Sequence, residues 1–146
     1  MPATPDTTTT LLAFDYGRRR IGSAVGQSIT QSASPLGVIT NGSNGPDYDH
    51  VHALIREWRP NLLVIGQPLF ADGSTTPMQA EIDAFVEALA EFDLPVEFVD
   101  ERHTSQEAEA ELKRRRVAGE RGRIQKEDID SAAAVLIAER FLASSG

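Results

Sequence analysis

Apolar residues along the chain alternate between short compact runs and helical stripes, and the two patterns predict different elements. Thr10–Asp15, Arg20–Gln27 and Ser32–Thr40 read as three consecutive strands with short connections, the first pair turning at Gly17–Arg19. Asp47–Trp58 places Val51, Leu54, Ile55 and Trp58 at helical spacing and stops before Pro60. Leu62–Gly66 is a compact run typical of a buried strand. Thr76-Pro77-Met78-Gln79 has the form of a capping box with proline at the first helical position, and the helix it would open carries Met78, Ile82, Phe85, Val86 and Leu89 on one face. Leu94–Val99 predicts a fifth strand. Thr104–Glu107 predicts a second capping box opening a polar helix, and Ile129–Leu142 a last helix. The order βββ-α-β-α-β-α-α points to an α/β domain with a mixed sheet covered by helices. Residues 1–10 and Ala143–Gly146 read as loose tails around a single domain spanning 11–142.

Against this pattern, four acids stand out by position. Asp15 ends the apolar run Leu11-Leu12-Ala13-Phe14 and is followed by Tyr16-Gly17. A bare carboxylate at the end of a buried strand is costly, so it must be solvated, paired or metal-bound. Taken alone, an Asp before a glycine turn is most simply a hairpin cap. Asp100 and Glu101 end the last strand, and alternation sends them to opposite faces. Asp130 lies at i, i+4, i+7 and i+11 with Ala134, Ile137 and Phe141, so it continues an apolar helix face. Ala132, Ala133 and Ala134 would let that helix approach the sheet closely. Glu127 and Asp128 have a simpler role near a helix start, where the dipole favours acids.

Composition narrows the class. The 146 residues are 40% hydrophobic and 25% charged, ordinary values for a globular domain. There is no cysteine, so a disulfide framework and a thiolate zinc site are excluded. No apolar run approaches the length of a membrane span, and the first ten residues lack the basic and apolar parts of a signal peptide. The expected location is the cytoplasm, with no membrane partner.

A net charge of −8 hides a strong asymmetry. Asp72–Glu111 holds twelve acids against one base, whereas Lys113–Lys126 holds seven bases against one acid. With Arg18, Arg19 and Arg20, two short segments carry ten of the fourteen Lys and Arg. Local field governs contact with a polyanion more than total charge does. Arg18, Arg19, Arg20, Arg114, Arg115, Arg116, Arg121, Arg123 and Lys126 are therefore the candidate nucleic-acid contacts. A merely solvated helix end would carry the same charges.

Carboxylates converging where strands end suit Mg²⁺, a hard ion that takes oxygen ligands and keeps several waters. A pair of such ions about 3.5–4 Å apart can activate water and stabilise the leaving oxygen in phosphodiester hydrolysis. His50, His52 and His103 are poor candidates for that ion, since imidazole prefers softer metals.

The motifs also carry a resemblance. Leu11–Gly17 with Arg19, Ile21-Gly22 and Ala24-Val25-Gly26 resembles the opening motif of the YqgF (RuvX) family. Ile65-Gly66-Gln67-Pro68-Leu69 with Asp72-Gly73 resembles its second motif, Asp100-Glu101-Arg102 with Thr104 and Glu107-Ala108 its third, and Lys126 with Asp130-Ser131-Ala132-Ala133-Ala134 its closing helix. The four occur in order from Leu11 to Leu142. Gln67 stands where Leu is usual, Ser23 where Val is usual and Arg19 where Lys is common.

The resemblance implies an RNase H-like (RuvC-like) fold with a mixed five-stranded sheet flanked by helices. It implies a metal-dependent nuclease acting in 5′-end processing of the 16S ribosomal RNA precursor during ribosome biogenesis. Asp15, Glu101 and Asp130 would be both the catalytic and the metal-binding residues, Asp100 being the neighbouring alternative, and Mg²⁺ or Mn²⁺ the cofactor. The implied partners are nucleic acid, as pre-rRNA or branched DNA, and ribosomal particles. The rival functions are a Holliday junction resolvase-like endonuclease and a non-catalytic nucleic-acid or ribosome-binding module. The expected state is a monomer or weak homodimer, whereas symmetric cutting by a resolvase calls for a dimer. The strand-Asp-x-Gly hairpin also resembles the phosphate loop of actin-like ATPases, but those enzymes close two such domains around a nucleotide and this chain has the length of one.

Overall fold

The computed structural model describes residues 9–100 and 126–145; of residues 126–130 and 145 it describes the backbone alone. The predicted capping box Thr104–Glu107 and helix beyond it lie outside the described residues. A three-stranded antiparallel meander opens the fold: β1 (Thr10–Asp15), β2 (Arg20–Gln27) and β3 (Ser32–Gly42). A two-residue strand β4 (Gly45–Pro46) pairs with the end of β3. Helix α1 (Tyr48–Trp58) then carries the chain to β5 (Leu62–Gln67), parallel to β1, and α2 (Gln79–Ala88) carries it on to β6 (Val96–Asp100), parallel to β5. Helix α3 (Lys126–Ser145) closes the described fold. The sheet order is β4-β3-β2-β1-β5-β6, so the sheet has six strands where the sequence predicts five; β4 is the addition.

Alternation along the strands divides the core. Leu12 and Phe14 of β1, Leu63 and Ile65 of β5, and Ile21, Val25 and Ile39 face α1 and α2, which bury Val51, Leu54, Ile55, Ile82, Phe85 and Leu89 against them. Phe85 packs edge-on against Phe14 with ring centroids 5.5 Å apart and lies beside Tyr16 and Tyr48. His52 joins this layer, 5.0 Å from Phe92 ring to ring, which accounts for it as packing. Leu11, Ala13 and Val64 face the other way, against Ile137, Ala138 and Leu142 of α3. Small residues permit that approach: a Cβ on Gly26 would lie 3.4 Å from the Ala138 Cβ, and Ala133 and Ala134 are buried.

Two expectations are corrected. Thr76–Gln79 does not cap α2. Thr75 still pairs with Leu69, so the chain forms a turn in which the Gln79 amide bonds the Thr76 carbonyl at 2.9 Å, and the helix starts at Gln79. Pro77 serves that turn. Thr76 Oγ1 is buried without a hydrogen-bond partner, and the Gln79 side chain bonds Gln67 and Asp83 instead. The last helix outruns its predicted ends, and Ala143–Ser145 belong to it rather than to a tail. At the predicted turn, glycine is needed at position 17 because a Cβ there would meet the Arg20 carbonyl oxygen at 2.6 Å. Among the described residues no helix is long and apolar enough to cross a membrane.

Candidate active site

β1, β5 and β6 run parallel, so Asp15, Gln67 and Asp100 all end at one edge of the sheet. Asp15 continues the parity of Leu11 and Ala13 and so lies on the α3 side. It is part-exposed, which lets water or a cation reach the carboxylate without the cost of a bare buried charge. Pairing of β1 with β5 ends at Phe14 and Ile65, and the next residue of β5 is Gly66, opposite Val99 on β6. A glycine therefore stands between Asp15 and β6 on this face, so β5 contributes no side chain there. Two strand spacings separate β1 from β6, about 10 Å.

Asp100 lies on the other parity. Val96 packs into the layer of α1 and α2, while Val99 packs against the α3 layer, so Asp100 falls with Val96 and Phe98 on the face away from Asp15. Its carbonyl oxygen accepts a 3.1 Å hydrogen bond from Arg140 Nη1, which ties the end of β6 to α3. Glu101 lies outside the described residues. Asp130 lies near the start of α3, where the backbone alone is described.

The direction of α3 is set by two contacts. Ser131 hydrogen-bonds Ser23, whose partner on β1 is Phe14, and Ala138 approaches Gly26, whose partner is Leu11. Helix α3 therefore begins at the Asp15 edge and runs back across the sheet. That brings the backbone of Asp130 to the level of Asp15, and the positive end of the helix dipole to the acidic edge. The Asp15 carboxylate described on this side of the edge is a hard oxygen ligand, suited to Mg²⁺ and not to a soft metal. No group of three His, Cys, Asp or Glu gathers among the described residues.

The basic turn between β1 and β2 is held firmly. Asn41, buried, donates from Nδ2 to the Gly17 carbonyl at 2.6 Å, and its amide donates to the Arg19 carbonyl at 3.0 Å. Arg18 and Arg19 are exposed, and Arg18 Nε donates to Glu81 Oε2 at 3.0 Å. Arg20 opens β2 opposite Thr40 and is part-buried. Arg114, Arg115, Arg116, Arg121 and Arg123 lie outside the described residues, as does the side chain of Lys126. Across the sheet from α3, burial pushes the Tyr48 phenol above its ordinary value and the neighbouring Tyr16 adds to the rise.

A family model described as RuvX, Holliday junction resolvase, matches residues 9–144. The chain belongs to this family. A protein of Burkholderia lata named "Putative pre-16S rRNA nuclease" is 46% identical over 134 residues, covering 91% of this chain and 88% of the relative. A relative in Paraburkholderia xenovorans with the same name is 42% identical over 91% of this chain and 87% of its own. Among solved structures, Thermus thermophilus RuvC in complex with a Holliday junction substrate superposes with a TM-score of 0.58 at 17% identity, covering 94% of this chain and 95% of that one. The Fowlpox virus resolvase with Holliday junction DNA also gives 0.58, at 8% identity over 93% and 98%. These likenesses show the fold, and the expected RuvC-like architecture holds for this RuvX member with its extra short strand.

Sequence reasoning missed Gly66, Asn41, Arg140 and the contacts of Ser131. Gly66 and Ser131 lie inside quoted motifs, but their partners are visible only once the register is known. Asn41 and Arg140 carry no local signal at all.

Proposed function

We propose that this RuvX protein is a nuclease that hydrolyses phosphodiester bonds in 5′-end processing of the 16S rRNA precursor, as the name borne by its relatives suggests. One geometric observation carries the enzymatic part of the reading. Asp15 lies on the α3 side of the sheet edge, and α3 begins at that same edge with Asp130 next to its docking residue Ser131. Asp15, Glu101 and Asp130 are the residues proposed to hold a divalent cation within a single nuclease domain, 11–142. The parity of β6 favours Glu101 over Asp100, because Asp100 falls on the face away from Asp15.

A bound divalent cation would supply charge stabilisation at the scissile phosphate and an activated water. The chain's own groups do the rest. Asp15, part-exposed at the strand end, would hold such a cation where solvent and substrate reach the carboxylate. The gap at Gly66 admits a phosphodiester between β1 and β6. Arg18 and Arg19, in the turn that follows Asp15, would offset the repulsion between an acidic centre and a phosphate backbone. Mg²⁺ or Mn²⁺ should support turnover, and Ca²⁺ should bind but catalyse poorly, because its larger and looser shell misplaces the attacking water. The proposed setting is the cytoplasm, with ribosomal particles as partners.

The family description favours a second reading, resolution of Holliday junctions. One preparation assayed on 16S precursor RNA and on a four-way DNA junction, with Mg²⁺ and with EDTA, separates the alternatives. Metal-dependent trimming of the RNA 5′ leader is the expected result. Symmetric cutting of the junction with the RNA left intact would replace it by the resolvase reading. Binding without cleavage of either substrate would reduce the protein to a binding module.

A further inference from the structure

Strands β2 and β3 pair irregularly at one place. Ser23 pairs with Gly37 and Ala24 with Pro35, so Leu36 is an extra residue and the ladder bulges between Ser23 and Ala24. Gly37 takes φ of +96°, which an L side chain would resist. Pro35 has no amide to donate. Ser131 of α3 sits over this bulge, buried, with its hydroxyl used twice: Oγ accepts from the Gly37 amide at 3.3 Å and donates to the Ser23 carbonyl at 3.3 Å. Ser23, fully buried, donates its own hydroxyl to the Gly37 carbonyl at 2.9 Å. Two hydrogen bonds thus join a distorted point in the sheet to one residue of the helix, and a third braces that point within the sheet.

We propose that Ser131 is a positioning residue that fastens the opening of α3 to the β2–β3 bulge and thereby sets Asp130, its chain neighbour, against Asp15. Apolar contacts farther along α3 hold the helix on the sheet but leave its opening turns free to rotate or slide, since apolar packing is not directional. Hydrogen bonds are directional, and they fix rotation and register where a metal ligand must be placed. The Ser23 hydroxyl braces the same bulge from the sheet side, which a valine at that position could not do.

The inference rests on the reading of Asp130 as a metal ligand, and the test separates the two. Mn²⁺ affinity, read by electron paramagnetic resonance of the free ion, is measured for wild type, Asp130→Asn, Ser131→Ala, Ser131→Thr and Ile82→Val. The last variant loses a buried methylene on the opposite face of the sheet and controls for stability alone. Ser131→Ala should weaken Mn²⁺ binding roughly tenfold, at the lower end of what removing a group that orients a metal ligand costs. Ser131→Thr, which keeps the hydroxyl, should recover most of the affinity, and Ile82→Val should bind as wild type does. If alanine at 131 prevents folding, Ser131→Cys carries the same test, because a thiol fills the space but hydrogen-bonds weakly. Wild-type affinity in the folded 131 variants beside a weakened Asp130→Asn would overturn the positioning role and leave the site intact. Wild-type affinity in Asp130→Asn would instead remove Asp130 from the site, and the inference with it.

Discussion

Replacing Gly17 by alanine tests the turn that follows Asp15. The added Cβ would lie 2.6 Å from the Arg20 carbonyl oxygen, where ordinary contact begins at 3.4 Å. The obstacle is backbone, so no side-chain rotation relieves it, and the Gly17–Arg20 segment must open. The same segment is held by two hydrogen bonds to Asn41, which would stretch together. Overpacking of this kind costs about 1–3 kcal/mol, and the lower unfolded-state entropy of alanine returns about 0.4–1 kcal/mol. A net loss of about 1–2 kcal/mol corresponds to a Tm lowered by about 3–6 °C in a domain of this size. Gly42→Ala is the matched control, with no positive φ and nothing within 4 Å of the new Cβ, and should stay within about 0.5 kcal/mol of wild type. Urea unfolding followed by circular dichroism measures both. Equal stability of the two variants would refute the steric argument and with it the rigid turn beside Asp15.

Phe85→Ala removes the ring on which Phe14, Tyr16 and Tyr48 pack, and should cost about 3–5 kcal/mol by denaturant unfolding. Because the folded-state pKa of Tyr48 is raised above its unfolded value, its contribution to stability is complete below about pH 10 and is lost as pH climbs through the folded value. Wild type should therefore lose stability in strong alkali more steeply than Tyr48→Phe; parallel pH curves would contradict this. Neutralising Arg114, Arg115, Arg116, Arg121 and Arg123 together should weaken nucleic-acid binding and flatten its salt dependence, by about one counterion for each phosphate no longer neutralised. An unchanged salt slope in filter-binding titrations would assign the substrate path elsewhere.

The first two strands were legible to the residue because their compact apolar runs are bounded by polar residues and separated by the turn at Gly17–Arg19. Helix α1 was equally plain, its stripe of Val51, Leu54 and Ile55 ending where Arg59 turns left-handed before Pro60. Local capping pattern failed at Thr76, where the adjacent Leu69–Thr75 pairing overrode a good capping sequence. It also could not choose between Asp100 and Glu101 as the inward acid, since alternation gives two faces but not their orientation. The packing of Val96 and Val99 against opposite layers supplies what was missing for Asp100. The set Asp15, Glu101 and Asp130 came from family resemblance together with the positions of these acids at element ends. Ser131 could be read as part of a motif, but its partners, Ser23 and Gly37, are 108 and 94 residues away.

The central claim is that the edge marked by Asp15 holds the catalytic cation. Asp15→Asn is nearly isosteric and removes only the charge, so its fold and Tm should stay close to wild type. The decisive measurement is single-turnover cleavage of 16S precursor RNA by this variant across a Mg²⁺ titration, beside Mn²⁺ binding by the same preparation. The account predicts a folded protein with cleavage reduced at least a hundredfold and Mn²⁺ affinity markedly weakened. A folded Asp15→Asn protein that cleaves at the wild-type rate with an unchanged Mg²⁺ requirement would contradict it.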